Sequence, residues 1–162
     1  MPIYMQYDGI KGAVSAEGFK EWIELDSFQL GVNRSVSGGA RGNREASTPA
    51  VSDITCSKGQ DKASTGIFTA ALCGEGKKVV IAFTKTSTDG ASQQTYFQIT
   101  LENVLVSSFS TSANGGDAAS NLHEAFSLNY TKMEWKHCET DLKNKAATPA
   151  IATWDLATGG KK

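Results

Sequence analysis

Hydrophobic and polar positions alternate along most of this chain, and in three places the alternation changes phase. From Thr95 to Ser112 there is no Gly, Pro, Lys or Arg, and β-branched and aromatic residues dominate, which is strand composition. Phe97, Ile99 and Leu101 alternate with Gln98, Thr100 and Glu102. After Glu102 the apolar phase passes to Val104 and Val106, and Leu105 interrupts it. At about 3.3 Å per residue such a run spans on the order of 50 Å, far longer than a common strand. A strand that exchanges its buried face midway carries a bulge or a bend, expected here at Glu102-Asn103. The same slip separates Ile23 and Leu25 from Phe28, Leu30 and Val32, placing a bulge near Asp26-Ser27. A third divides Phe126, Leu128 and Tyr130 from Met133 and Trp135.

Around these runs the other elements fall into place. Ile3 to Tyr7 reads as a first strand, turned by Asp8-Gly9 and Gly12. Trp22 to Val36 is the second strand region, and residues 37–48 form an extended polar loop without periodicity. Pro49 opens a strand through Val51, Ile54 and Cys56. Asp61 to Gly74 is the one helical pattern, with Ser64 as its cap and Gly74 as a left-handed terminator. Its stripe of Ile67, Phe68, Ala71 and Leu72 predicts a short amphipathic helix lying on the sheet. Lys77 to Thr86 alternates again, followed by turns at Asp89-Gly90 and Asn114-Asp117. After His123 to Lys136 come a polar loop and a last strand, Ile151 to Leu156, and residues 157–162 read as a frayed tail. Seven or eight strands and one helix, with no internal repeat, predict a mainly β fold. The expected architecture is one domain over residues 1–162, a β-barrel or sandwich with the helix lying on a sheet.

Composition narrows the function classes. The chain has 162 residues, 40% hydrophobic and 20% charged, a globular rather than a disordered profile. A formal net charge of -1 removes the basic footprint of a nucleic-acid binder. No apolar run approaches a membrane span, and the first residues carry neither a basic region nor a hydrophobic signal core. Synthesis in the cytoplasm, outside the general secretory route, is the expectation. Cys56, Cys73 and Cys138 are odd in number and widely spaced, so they read as buried free thiols.

Candidate chemistry is sparse. Gly74-Glu75-Gly76-Lys77-Lys78 lacks the spacing and the hydroxyl of a phosphate loop, and reads as a helix end followed by a strand. His137, Cys138, Glu139 and Asp141 crowd a strand end, yet neighbours on a strand point to opposite faces and do not converge on one ion. His123 stands at a strand start, and no nucleophile elbow or paired-carboxylate signature is present. No catalytic residue, metal site or cofactor is assigned. Trp22, Trp135 and Trp154 sit in alternating strands and read as core or subunit-interface packing.

One ordered set of segments is specific. Tyr7-Asp8-Gly9-Ile10-Lys11-Gly12 is followed by Trp22-Ile23-Glu24-Leu25 and Ser27-Phe28-Gln29-Leu30-Gly31. Ser57-Lys58 and Asp61-Lys62-Ala63-Ser64 come next, then Leu101 to Ser108, then Phe126-Ser127-Leu128-Asn129-Tyr130 and a late Trp154. Over nearly the whole chain this series resembles the haemolysin-coregulated protein (Hcp) family, the tube protein of bacterial type VI secretion systems.

The resemblance implies a β-barrel of two antiparallel sheets with one short amphipathic helix at its side, whose copies close into hexameric rings. Rings of the family stack into a tube inside a contractile sheath, which expels it with a spike protein at its tip, and some members hold effector proteins in the lumen. It therefore implies self-association, spike, sheath and effector partners, no enzymatic activity, and delivery to the extracellular space or a target cell without a signal peptide. Gln29, Gly31 and Asn33 lie opposite the apolar Phe28, Leu30 and Val32, and match the family's lumen-lining segment. Arg41, Arg44 and Glu45 are the charged members of the loop that resembles the family's ring-stacking loop. The rival reading is a monomeric β-barrel module that binds a glycan or small ligand through one exposed Trp.

Overall fold

The computed structural model describes residues 1–38, 44–86, 93–115, 122–138 and 148–161, with the side chains of residues 44, 45 and 161 outside that description. In chain order its strands are β1 (Ile3–Tyr7), β2 (Ile23–Leu25), β3 (Ser27–Gln29), β4 (Val32–Asn33), β5 (Val36–Gly38), β6 (Arg44–Ala46), β7 (Ala50–Val51) and β8 (Ile54–Gly59). Helix α1 (Ser64–Cys73) follows, then β9 (Lys77–Thr86), β10 (Gln93–Ser112), β11 (His123–Asn129), β12 (Lys132–His137), β13 (Ala150–Asp155) and β14 (Gly160–Lys161). One antiparallel sheet runs β2-β1-β9-β10-β12-β13-β14, and a second runs β10-β11-β8-β3. Among the described residues the fold is mainly β with a single short helix, as the alternation predicts, and the ladder leaves edges at β2, β3 and β14, so the barrel is open.

Each phase slip marks a strand that changes sheet. β10 pairs with β12 through Glu102 and with β9 through Val104, then with β11 from Leu105 onward. Its register shifts between Leu101 and Val104, where Asn103 takes φ 53°, a left-handed conformation that asparagine tolerates better than most residues. The expected bend near Glu102-Asn103 is thus a corner of the barrel. Asp26 is a second corner: β2 pairs with β1, while the Asp26 amide already donates to Ser57 O of the other sheet at 2.8 Å. Tyr130-Thr131 is the third, dividing β11 from β12. The runs through Asp26 and through Tyr130 are therefore two strands each, while β10 stays continuous through its corner and turns its side-chain phase there.

Met5, Ile23, Ile81, Ile99 and Leu101 meet Ile54, Cys56, Phe126 and Leu128 from the facing sheet, all fully or nearly fully buried. Ile67 is the helix's plug in that core. The rest of the predicted helical stripe departs from expectation. Ala71 is half-buried, Phe68 is 50% exposed and Leu72 is 70% exposed, because α1 covers the core with one narrow edge only. Ser64 does not cap the helix with its side chain, having been drawn to a buried carboxylate instead. Gly74 is extended (φ -70°) rather than left-handed, donating to Ala70 O as the chain leaves for β9. Gly76 then makes room for a neighbour: a Cβ there would lie 1.8 Å from Asn103 Oδ1 at the corner of β10.

Residues 37–48 are not a plain loop over their described part. β4 pairs with β7 and β5 with β6, while the Arg34 Nε donates to Ser47 O at 2.7 Å and the Ser47 amide to Ser35 O at 2.9 Å. The described residues of 31–38 and 44–52 make a two-stranded arm. Beyond Val51, which packs on the core at its root, the arm's strand side chains that are described are exposed, so its ladder needs only backbone pairing and leaves no periodicity in the side chains.

Candidate functional site

The arm is pinned at its root. Gly31 and Ser52 exchange two hydrogen bonds, the Gly31 amide donating to Ser52 Oγ and the Ser52 amide to Gly31 O, each at 2.9 Å. The Tyr130 hydroxyl donates to Ser52 O at 3.2 Å. Asp53 accepts from Ser107 Oγ at 2.6 Å and from Asn129 Nδ2 at 2.8 Å, tying the root to β10 and to the end of β11. Burial, aided by the Asp53 carboxylate, pushes the Tyr130 phenol up to about 12.

The expected lumen residues divide. Gln29 closes β3 opposite Thr55 and is exposed; Asn33 lies in β4 opposite Ala50 and is exposed. Gly31 sits between them, half-buried in the clamp with Ser52. Phe28 and Leu30 turn toward the core, but Val32 is 57% exposed, since the chain has left the barrel for the arm. Of the expected stacking residues, Arg44 and Glu45 pair through their backbones with Gly38 and Ser37 in the outer part of the arm. Arg41 lies outside the described residues.

Beside Val32 a groove of about 460 Å³ opens, lined by Leu30, Val32, Met133, Trp135, Ala152, Thr153 and Trp154. An aromatic row supports its wall: Phe28 packs on Phe83 at 5.2 Å, Phe83 on Phe97 at 5.1 Å, and Phe97 on Trp135 at 4.6 Å between ring centroids. Trp135 is 38% exposed and Trp154 half-buried, so both belong to this surface, whereas Trp22 packs edge-on against Phe19.

A buried ionic knot went unread in the sequence. Lys58 and Glu124 are cross-strand partners on β8 and β11, 1% and 4% exposed. Lys58 Nζ donates to Glu124 Oε2 at 3.0 Å, to Gly59 O at 2.7 Å and to Ser64 Oγ at 3.1 Å, and pairs with Asp61 Oδ1 at 2.7 Å. Ser64 Oγ in turn donates to Glu124 Oε2 at 2.9 Å. The signal was there: Lys58 follows Ile54 and Cys56 in the buried phase of β8, and Glu124 precedes Phe126 and Leu128 in that of β11. The ammonium and the Glu124 Oε2 acceptor are partnered within the protein, so the knot fastens α1 to the second sheet.

Among the described residues no group of His, Cys, Asp and Glu has the arrangement of a metal site, and no helix is long and apolar enough to cross a membrane. His137 ends β12 exposed, with Cys138 half-buried next to it; Glu139 and Asp141 lie outside the described residues. Of the three thiols only Cys56 is fully buried, which pushes it up to about 12, while Cys73 is exposed at the end of α1. The described surface includes an arm and an uncharged apolar groove beside it.

A family model described as type VI secretion system effector, Hcp, matches residues 4–137. Three solved structures are similar over nearly their full length. A type six secretion system protein has TM-score 0.83 and 22% identity, covering 99% of this chain and 99% of its own. Hcp1 from Salmonella typhimurium has TM-score 0.78 and 17% identity over 99% of this chain and 98% of its own. A type VI secretion system effector from Yersinia pestis has TM-score 0.70 and 19% identity over 94% of this chain and 98% of its own. At such identities these likenesses carry the fold alone. No curated protein matches the sequence.

Proposed function

This chain belongs to the Hcp family of type VI secretion, and on that premise we propose that it is a non-enzymatic tube subunit whose copies close into hexameric rings. The observation that carries the reading is the family match over residues 4–137, and an uncharged apolar groove beside the arm supports it. The mechanism is mechanical. A heterologous contact repeated with a fixed rotation closes a ring, and rings laid face to face make a conduit. In this reading the arm, with Arg41, Arg44 and Glu45, meets the next ring, and its root keeps the arm at one angle to the barrel. Gln29, Gly31 and Asn33 line the lumen and meet an effector held there. The spike, the sheath and the effector are partners of the assembled tube, which leaves the cell when the sheath contracts.

Native mass spectrometry and negative-stain imaging at micromolar concentration test this reading. Six-membered rings are the expected result. A monomer under all conditions of salt and concentration overturns it and favours the small-ligand module.

A further inference from the structure

Helix α1 is half open to water and carries no charge. Its ten residues include no acidic or basic side chain, although Thr65, Phe68, Thr69, Leu72 and Cys73 are exposed. A helix face meant for solvent ordinarily carries charged and strongly polar residues. Phe68 and Leu72 are four apart, so they stack along one side of the helix as a ridge. The Phe68 ring leans on Phe109 of β10 at 5.7 Å, which holds the ridge upright rather than letting it fold back.

The second uncharged surface is concave. The groove beside Val32 is walled by Met133, Trp135 and Trp154, and no charged residue lines it. Its floor strand, β13, pairs with β12 along its whole length, but β14 covers only Trp154 and Asp155 on the other side. Residues 150–153 are therefore a strand edge with no ladder partner there among the described residues, and Ile151 stands 56% exposed on it. An open edge beside an apolar hollow suits a polypeptide better than a small ligand. Depletion of charge with enrichment in Trp, Phe and Met is the composition of an interface centre.

Ridge and groove share no element: one belongs to α1 and the later half of β10, the other to β12, β13 and the start of the arm. A ring made by rotation needs two different faces on every copy, each complementary to the other. This chain has a convex face and a concave one, both apolar and both without charge. We propose that the Phe68–Leu72 ridge of one copy seats in the Trp135–Trp154 groove of a second copy, a helix-in-groove contact repeated around the ring. The inference rests on the ring reading and names the surfaces that would make it.

Two charge insertions test it, Leu72→Asp on the ridge and Val32→Asp on the groove lip. Both side chains are more than half exposed, so each variant should keep the far-ultraviolet circular dichroism of the parent. Native mass spectrometry should show hexamer for the parent and monomer for each variant alone. Mixed in equal amounts, the two variants should form a dimer and stop, because only one intact ridge and one intact groove remain between them. If the parent forms rings and either variant does too, or if the mixture yields no dimer, the contact is refuted and the ring reading stands. If the parent is a monomer, the ring reading itself fails. Leu72→Lys and Val32→Lys repeat the experiment should either Asp variant lose its fold.

Discussion

Two regions a few residues apart invert the usual arrangement of a globular protein. Lys58 and Glu124 are charged and sealed from water, whereas the α1 face beginning just past Ser64 is uncharged, carries the apolar Phe68–Leu72 ridge and is open to it. Both depart from the rule that charge goes outside, and the departures have different causes. Inside, the charges are consumed by one another: the ammonium has four protein acceptors, and Ser64 completes the carboxylate's set. Outside, Phe68 and Leu72 have little of their own chain to cover them. A buried charge that is fully partnered belongs to folding. An exposed ridge that is poorly covered is, on the proposed ring contact, what the folded chain meets next.

The largest effect should come from opening the inner region. Lys58→Ala leaves Glu124 and Asp61 facing each other without their cation, and breaking a buried pair in this way costs roughly 3–5 kcal/mol. Chemical denaturation should show that loss as a lower midpoint with an unchanged slope. Replacing both partners, as Lys58→Met with Glu124→Leu, should recover most of it, because no orphaned charge remains. A single variant as stable as the parent would mean that the knot is solvated and the contrast between the two regions false.

A smaller effect, of about 3 kcal/mol, is expected at the arm's root, where burial meets exposure. The Tyr130 phenol, pushed up to about 12, is raised above its unfolded value near 10, so the folded state prefers the neutral hydroxyl. Its contribution is complete below pH 10 and disappears as pH rises through 12. Two units at about 1.4 kcal/mol each set the size of the alkaline loss. Tyr130→Phe should forfeit about 1 kcal/mol at neutral pH through the missing bond to Ser52 O, and should flatten the decline between pH 10 and 12. An unaltered alkaline profile in that variant would place the titrating group elsewhere.

What could be read from the sequence divides along the same line. The two-sheet fold was legible because Ile23, Leu25, Phe97, Ile99, Phe126 and Leu128 alternate against one common core, and the phase slips marked all three corners. The left-handed turn of Asn103 was not, since nothing in its neighbours requires a positive φ. The arm stayed hidden because backbone ladders exposed on both faces impose no side-chain pattern. Phe68 and Leu72 fall in the predicted core stripe because periodicity records apolarity, not which surface removes it from water. Lys58 and Glu124 escape prediction for the converse reason. They occupy buried phases, and a charged residue in such a phase needs its partner's identity, which lies 66 residues away.

The smallest effect is the one that separates folding from association most sharply. Leu72 is 70% exposed, so Leu72→Lys should change the stability of the isolated subunit by no more than about 0.5 kcal/mol, measured at high dilution or in the Val32→Asp background. The same substitution at concentrations where rings form should lower the apparent melting temperature, because assembly stabilises the folded state by mass action and the variant forfeits that gain. The difference should therefore grow with protein concentration for the parent and stay flat for the variant. Were Leu72→Lys to cost the isolated subunit as much as a core substitution, the ridge would belong to the fold, and the two regions would differ only in polarity. A concentration-dependent gap with an unchanged dilute limit would instead leave the inner charges to hold the subunit and the outer apolar face to join it to the next.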